Sequence, residues 1–138
     1  MNSNPITITA TVHAPIDKVW GYWNSPKHIE NWAFADDSWE ATNASNDLKV
    51  GGKFSTVMGA KDKSASFEFG GIYTAVEENR LIEYDMDDKR HVKVEFEETP
   101  DGVKITQTFD PEQENSLEMQ RDGWQAILNN FKKHTEEN

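Results

Sequence analysis

Polar and apolar residues alternate along most of this chain, and the alternation breaks in two places. Residues 5–13 read PITITATVH. Ile6, Ile8, Ala10 and Val12 alternate with Thr7, Thr9 and Thr11, the period of a half-buried strand. Ala14-Pro15 ends it. Pro15 is placed for a helix start, and Ile16, Val19, Trp20 and Trp23 follow at helical spacing. Ser25-Pro26 breaks that helix and opens a second short one, with Ile29 and Trp32 on one face. From Ser38 the period returns to two. Trp39 and Ala41 alternate with polar neighbours, and residues 43–47 read as a turn. Gly51-Gly52 precedes a strand with Phe54, Thr56 and Met58 on one side. Residues 64–76 form a long strand pattern with Phe67 and Phe69 on one face. Gly70-Gly71 at its middle suggests a bulge or bend. Three further strands cover residues 81–86, 92–96 and 103–109, with turns at residues 87–90 and at Thr99-Pro100-Asp101-Gly102.

The second break is the longest helical pattern, residues 115–135, NSLEMQRDGWQAILNNFKKHT. Leu117, Trp124, Ile127, Leu128 and Phe131 fall within about 60° of one line on a helical projection. Asn115 is placed as N-cap with Glu118 three residues on, the spacing of a capping box. Asp110-Pro111 is a competing start. Lys132, Lys133 and His134 stand at the C-terminal end, where the helix dipole favours cations. Such a helix spans about 30 Å, the width of a small domain. Its single apolar stripe needs a surface to cover, and an antiparallel sheet needs one face covered. The pattern therefore predicts an α+β fold: one strand, two short helices, about six meandering strands and one long helix. A strongly curved sheet around one helix leaves space at one end, where a small-molecule pocket is expected.

Size and charge narrow the partners. A chain of 138 residues is expected to form a single domain over residues 1–138. Its 25 acidic and 14 basic residues give a net charge of −11, which disfavours nucleic acid and anionic membrane surfaces. It contains no cysteine, so disulfide and thiol chemistry are excluded. The N-terminal stretch lacks the basic and apolar regions of a signal peptide, and no apolar run approaches a membrane span. The expected location is the cytoplasm. Five Trp, seven Phe and three Tyr imply a core of few, bulky side chains. Monomer and dimer are both open.

Ala14-Pro15-Ile16-Asp17-Lys18-Val19-Trp20, followed by Pro26, Ile29 and Trp32, resembles the opening motif of the SRPBCC, or START-like, superfamily. Gly51-Gly52-Lys53-Phe54, then Gly71 and Leu81, then Gly123-Trp124-Gln125-Ala126-Ile127-Leu128 resemble its branch of activator of heat shock protein 90 ATPase homologues. The resemblance covers essentially the whole chain. It implies a helix-grip fold: a curved, antiparallel, seven-stranded sheet wrapped around the C-terminal helix, two short helices after the first strand, and a deep, mostly apolar cavity. Members of the superfamily include lipid and polyketide binders, polyketide cyclases, and a co-chaperone whose related domain stimulates a chaperone ATPase. That co-chaperone carries a further N-terminal domain that this sequence does not contain.

Catalytic signatures are sparse. His13, His28, His91 and His134 fall in different elements without metal-ligand spacing, so no metal site and no cofactor are expected. Asp85, Asp87 and Asp88 read as a solvated acidic turn, and Glu95, Glu97 and Glu98 as a solvated strand face. Ser55, Ser64 and Ser66 have no evident His-Asp partner, and no nucleotide fingerprint exists. More informative are polar residues on apolar faces. Gln120 lies inside the helix stripe, Gln107 between Ile105 and Phe109, and Thr56 between Phe54 and Met58. A buried amide needs a partner, which is either internal or a ligand. The expected cavity lining is Trp32, Trp39, Phe54, Thr56, Phe67, Phe69, Tyr84, Met86, Gln107, Phe109, Gln120 and Trp124, with Trp20 and Leu128 in the core. Arg121 belongs at the cavity mouth or on the solvated surface. Gly123, costly in a helix by about 1 kcal/mol relative to Ala, suggests close approach of helix and strand backbones.

Three functions follow in order. The first is binding of a small hydrophobic molecule or lipid in the cavity. The second is co-chaperone-like interaction with a chaperone. The last is a polyketide-cyclase-like enzyme, because no positioned acid/base pair is visible.

Overall fold

The first and last strands of the sheet are neighbours. In the computed structural model, which describes residues 5–138, β1 (Ile6–Val12) pairs antiparallel with β7 (Gly102–Phe109), Ile6 opposite Phe109 and Val12 opposite Val103. Between them in sequence come α1 (Ile16–Asn24), α2 (Pro26–Ile29), β2 (Trp39–Asn46), β3 (Lys53–Ala60), β4 (Ser66–Glu77), β5 (Leu81–Met86) and β6 (His91–Thr99), and α3 (Leu117–Glu137) follows β7. The seven strands run β1-β7-β6-β5-β4-β3-β2 across one antiparallel sheet. It curls into a half-barrel around α3, an α+β helix-grip architecture.

The alternation read from the sequence sets the two faces. Ile6, Ile8 and Val12 on β1 are buried with Val103, Ile105 and Phe109 on β7 and Val92, Val94 and Phe96 on β6. The intervening threonines and charged residues face away from this core. α3 closes it with Leu128 and Phe131. Phe131 makes edge-to-face contacts with Trp23 of α1 and with Trp32, ring centroids 4.8 and 5.0 Å away. Trp20 meets Phe96 edge-on at 5.3 Å. α1 and the segment after α2 thus plug one end of the half-barrel with aromatic rings.

The polar face of α3 also has a structural role. β1 is an edge strand, and its outward carbonyls need partners. Arg121 donates from Nη1 to Thr7 O at 3.0 Å, Gln125 from Nε2 to Thr9 O at 3.1 Å, and Lys132 from Nζ to Thr11 O at 2.6 Å. Arg121, placed by sequence at the cavity mouth or in solvent, is therefore a strap over the sheet edge.

Several sequence expectations change. Residues 43–46 are not a turn: β2 runs on to Asn46 through a bulge between Thr42 and Ser45. Asn43 takes the left-handed backbone there at φ 52°, which Asn tolerates better than most residues. Gly70-Gly71 is not the bulge either. Both pair regularly with β3, and the register shift falls further on, between Tyr73 and Ala75. The two glycines instead allow close strand approach, because a Cβ on Gly71 would collide with Asp85 O and one on Gly70 would lie 2.7 Å from Phe54 O. The N-cap of α3 is Ser116, whose Oγ accepts from Met119 N at 3.1 Å, rather than Asn115 or the turn at Asp110-Pro111. Leu117 is then the first helical residue and is exposed, outside the buried stripe. A Cβ at Gly123 would meet nothing within 4 Å, so no close backbone approach requires this glycine.

Candidate functional site

A cavity of about 320 Å³ lies between the concave face of the sheet and the helices. Period-two alternation builds its sheet wall. β3 contributes Phe54, Thr56 and Met58, β4 contributes Phe67, Phe69 and Tyr73, and β5 contributes Ile82, Tyr84 and Met86. Gln107 enters from β7. Ile29 and Trp32 close one side, and α3 supplies Gln120, Trp124 and Ile127. The rings pack against one another. Phe54 meets Tyr84 edge-on at 4.7 Å, and Phe69 meets Trp124 edge-on at 6.1 Å.

Two of the residues expected on this wall lie elsewhere. Phe109 is fully buried beneath the Trp124 ring, so it is core. Trp39 lines an adjoining groove of about 160 Å³ that shares Met58, Phe67 and Ile127 with the main cavity. Trp39 is on β2, beyond β3 on the far edge of the sheet, and the curl carries it past the cavity. Phe67 stands at the boundary of the two spaces and is 52% exposed. The other ten residues of the expected lining are on the wall.

The polar residues divide sharply. Gln120 has its amide satisfied within the protein. Its Oε1 accepts from Glu112 N at 2.7 Å, and its Nε2 donates to Asn115 O at 2.8 Å and Glu112 O at 3.1 Å. It stitches the irregular segment before α3 onto the helix. Thr56, Gln107 and Tyr84 differ. They are 4, 6 and 6% exposed, and their side chains have no hydrogen-bond partner among the described residues. Each lines the cavity. Tyr73 makes the contrast plain: its hydroxyl donates to Asn46 Oδ1 at 2.6 Å, and Asn46 Nδ2 donates on to Asn24 O at 2.7 Å. Burial pushes the Tyr84 phenol far above its ordinary range, with Tyr73 adding to the effect and Arg90 opposing it. Burial does the same to Tyr73. Both are neutral hydroxyls at any physiological pH.

Sequence reasoning missed Asn24, Tyr73, Arg90, Glu112 and Asn115, all on the wall. Tyr73 continues the Phe67, Phe69 alternation and was findable. Arg90 falls in the stretch 87–90 that reads as a turn, although it precedes Val92 and Val94 at the same period. The others come from helix ends and loops, where no period marks the inward side. Among the described residues no group of three or more His, Cys, Asp or Glu side chains is placed to hold a metal. Nor is any helix there long and apolar enough to cross a membrane.

A curled antiparallel sheet closed on a C-terminal helix, with a cavity between them, places the chain in the SRPBCC superfamily. It belongs to the family described as Activator of Hsp90 ATPase homolog 1-like protein, whose model matches residues 13–136. No curated protein matches it significantly. Among solved structures, an AHSA1-like protein from Aeromonas hydrophila is 41% identical, with a TM-score of 0.91 over 96% of this chain and 92% of its own. A solution structure from Cytophaga hutchinsonii is 52% identical, with a TM-score of 0.84 over 99% of this chain and 94% of its own. A crystal structure from Nitrosomonas europaea shares the fold at 17% identity, with a TM-score of 0.83 over 97% and 95% of the two chains.

Proposed function

We propose that the protein binds a small, largely apolar molecule in the cavity and does no chemistry on it. The observation that carries this reading is the set of three polar side chains, Thr56, Gln107 and Tyr84, that line a largely apolar cavity and hydrogen-bond to no described residue. Polar atoms that face a cavity and have no protein partner are free to hydrogen-bond a ligand or water there. A few such groups in an apolar cavity orient a bound molecule. The titratable groups on the wall are Arg90, Glu112 and two neutral phenols, a poor set for acid/base catalysis near neutrality.

Native mass spectrometry of protein taken gently from a cell extract tests this. A non-covalent small-molecule mass that is lost on denaturation is expected. Protein that carries no ligand, and whose melting temperature no fatty acid, flavonoid or aromatic polyketide raises, would refute it.

Family membership favours a second reading, contact with a chaperone. The exposed apolar side chains Leu117 and Met119 at the start of α3 are the first place to look for it. Chaperone ATPase stimulation that is lost in Met119→Glu would support that reading, and unaltered ATPase rates would remove it.

A further inference from the structure

One wall residue breaks the inward pattern that β6 continues. Val92, Val94 and Phe96 form the inward face of β6 and are all buried. Two residues before Val92, the same face begins with Arg90, whose carbonyl accepts from Met86 N across the β5–β6 turn at 2.8 Å. The Arg90 side chain is 21% exposed and lines the cavity with Tyr84 and Met86. An apolar residue would satisfy the pattern, and a guanidinium is costly to desolvate.

Its protein partners use only part of it. Of five N–H donors, Nε donates to Asp88 Oδ2 at 2.7 Å and Nη1 to Asp110 O at a long 3.4 Å. The three remaining donors, one on Nη1 and two on Nη2, have no partner among the described residues. Adjacent guanidinium N–H groups take a carboxylate through two parallel hydrogen bonds. Tyr84, buried and unpartnered on the same wall, is a neutral hydroxyl able to donate a third. Asn115, just before α3, and Gln120, in its first turns, also line the cavity, and the helix dipole favours negative charge at that end.

Resting on the cavity-binding reading above, we propose that the ligand is an amphipathic organic acid, its apolar body among the aromatic rings and its carboxylate held by Arg90 and Tyr84. A cationic head would meet the guanidinium. Glu112, the other charged residue on the wall, has its Oε1 taken by Asn115 N at 2.7 Å. An alcohol head fills only one of the open donors.

Decanoic acid, decanol and decylamine share a tail and differ in the head. In titrations followed by the fluorescence of the cavity tryptophans, decanoic acid should bind about tenfold or more tighter than decanol. Decylamine should bind weakest. Arg90→Gln should weaken decanoic acid about ten- to hundredfold and decanol at most severalfold. If Arg90→Gln disturbs the turn and lowers the yield of folded protein, Tyr84→Phe serves instead. It deletes one oxygen from the wall and should weaken decanoic acid severalfold more than decanol. Decanol binding as tightly as decanoic acid, or both variants weakening the two equally, would overturn the anionic head and leave the cavity reading standing. Decylamine binding tightest would overturn it in favour of Glu112. Binding of none of the three to the wild type would overturn the amphipathic-acid proposal, and the cavity reading falls with it only if flavonoids and aromatic polyketides also leave the melting temperature unchanged.

Discussion

Trp124 of α3 lies flat on Phe109 of β7, their ring centroids 3.9 Å apart and their planes inclined by 8°. One face of the indole is thus sealed against the core while the side chain also lines the cavity. Trp124→Ala removes the lid of the core and enlarges the empty space. It should cost about 3 kcal/mol in chemical denaturation. Trp124→Phe should keep most of that stability, since an aromatic ring can still stack. A loss below about 1 kcal/mol for the alanine variant would mean that the stack does not hold the helix down.

Gly123, next to it, has open space where a Cβ would be. Gly123→Ala should therefore raise stability by about 1 kcal/mol, through helix propensity alone. A lower denaturation midpoint would point to a crowded backbone and restore the close approach expected from sequence.

The two glutamines should respond in opposite ways. Gln120→Leu strands the backbone groups of Glu112 that its amide now satisfies. It should lower stability by about 1–3 kcal/mol with little effect on ligand affinity. Gln107→Leu removes an amide with no protein partner and should leave the empty protein as stable or more so. It should weaken a polar-headed ligand instead. Thermal melting of both variants, with and without ligand, separates the two roles. The idea fails if Gln107→Leu melts as low as Gln120→Leu.

Two histidine sites give pH dependences of opposite sign. His91 bonds Asp85 through Nδ1 at 2.7 Å and Glu83 through Nε2 at 2.8 Å, and these hydrogen bonds raise its pKa. Its contribution is complete below the unfolded value of about 6.5 and is lost as pH rises through the folded pKa. His28 Nδ1 and His134 Nε2 lie 2.9 Å apart, so one ring must stay neutral to accept. Burial lowers both pKa values, with Lys27 adding to the effect at His28, and His28 and Lys18 adding to it at His134. That contribution is complete above about pH 6.5 and is lost as pH falls through the folded values. Relative to wild type, His91→Gln should therefore be more destabilising near about pH 5.5 than near about pH 8.5, and His134→Gln the reverse. Melting curves at the two pH values decide, and parallel shifts would rule out both linkages.

The strands and α3 were legible because a half-buried sheet and a one-sided helix each impose a period, and nothing in Phe54-Thr56-Met58 or Ile82-Tyr84-Met86 conflicts with it. What stayed hidden are contacts from side chain to backbone. That Gln120 closes on Glu112 and Asn115, or that Arg121, Gln125 and Lys132 reach the carbonyls of β1, has no residue-type signature, because every residue but for its side chain offers the same carbonyl. Trp39 and Phe109 show the other limit. Alternation assigns a face, but the curl of the sheet decides whether that face meets the cavity, the groove or the core.

The pairing of β1 with β7 bears on how the chain folds. β2 to β7 are joined in order by neighbouring hairpins, contacts that close short loops. Thr7 and Thr108, bonded through their hydroxyls, are 101 residues apart in sequence, and closing so long a loop is entropically costly before its contacts form. Loop-closure entropy therefore predicts that the meander assembles first and that β1, strapped by α3, fastens afterwards. Ile8→Val should accordingly speed unfolding while leaving the refolding rate nearly unchanged. A matching slowdown in refolding would place this clasp in the nucleus instead. On a ribosome, β1 waits without its strand partner until β7 has emerged, and the alternating Ile6, Ile8 and Val12 are what the waiting strand exposes.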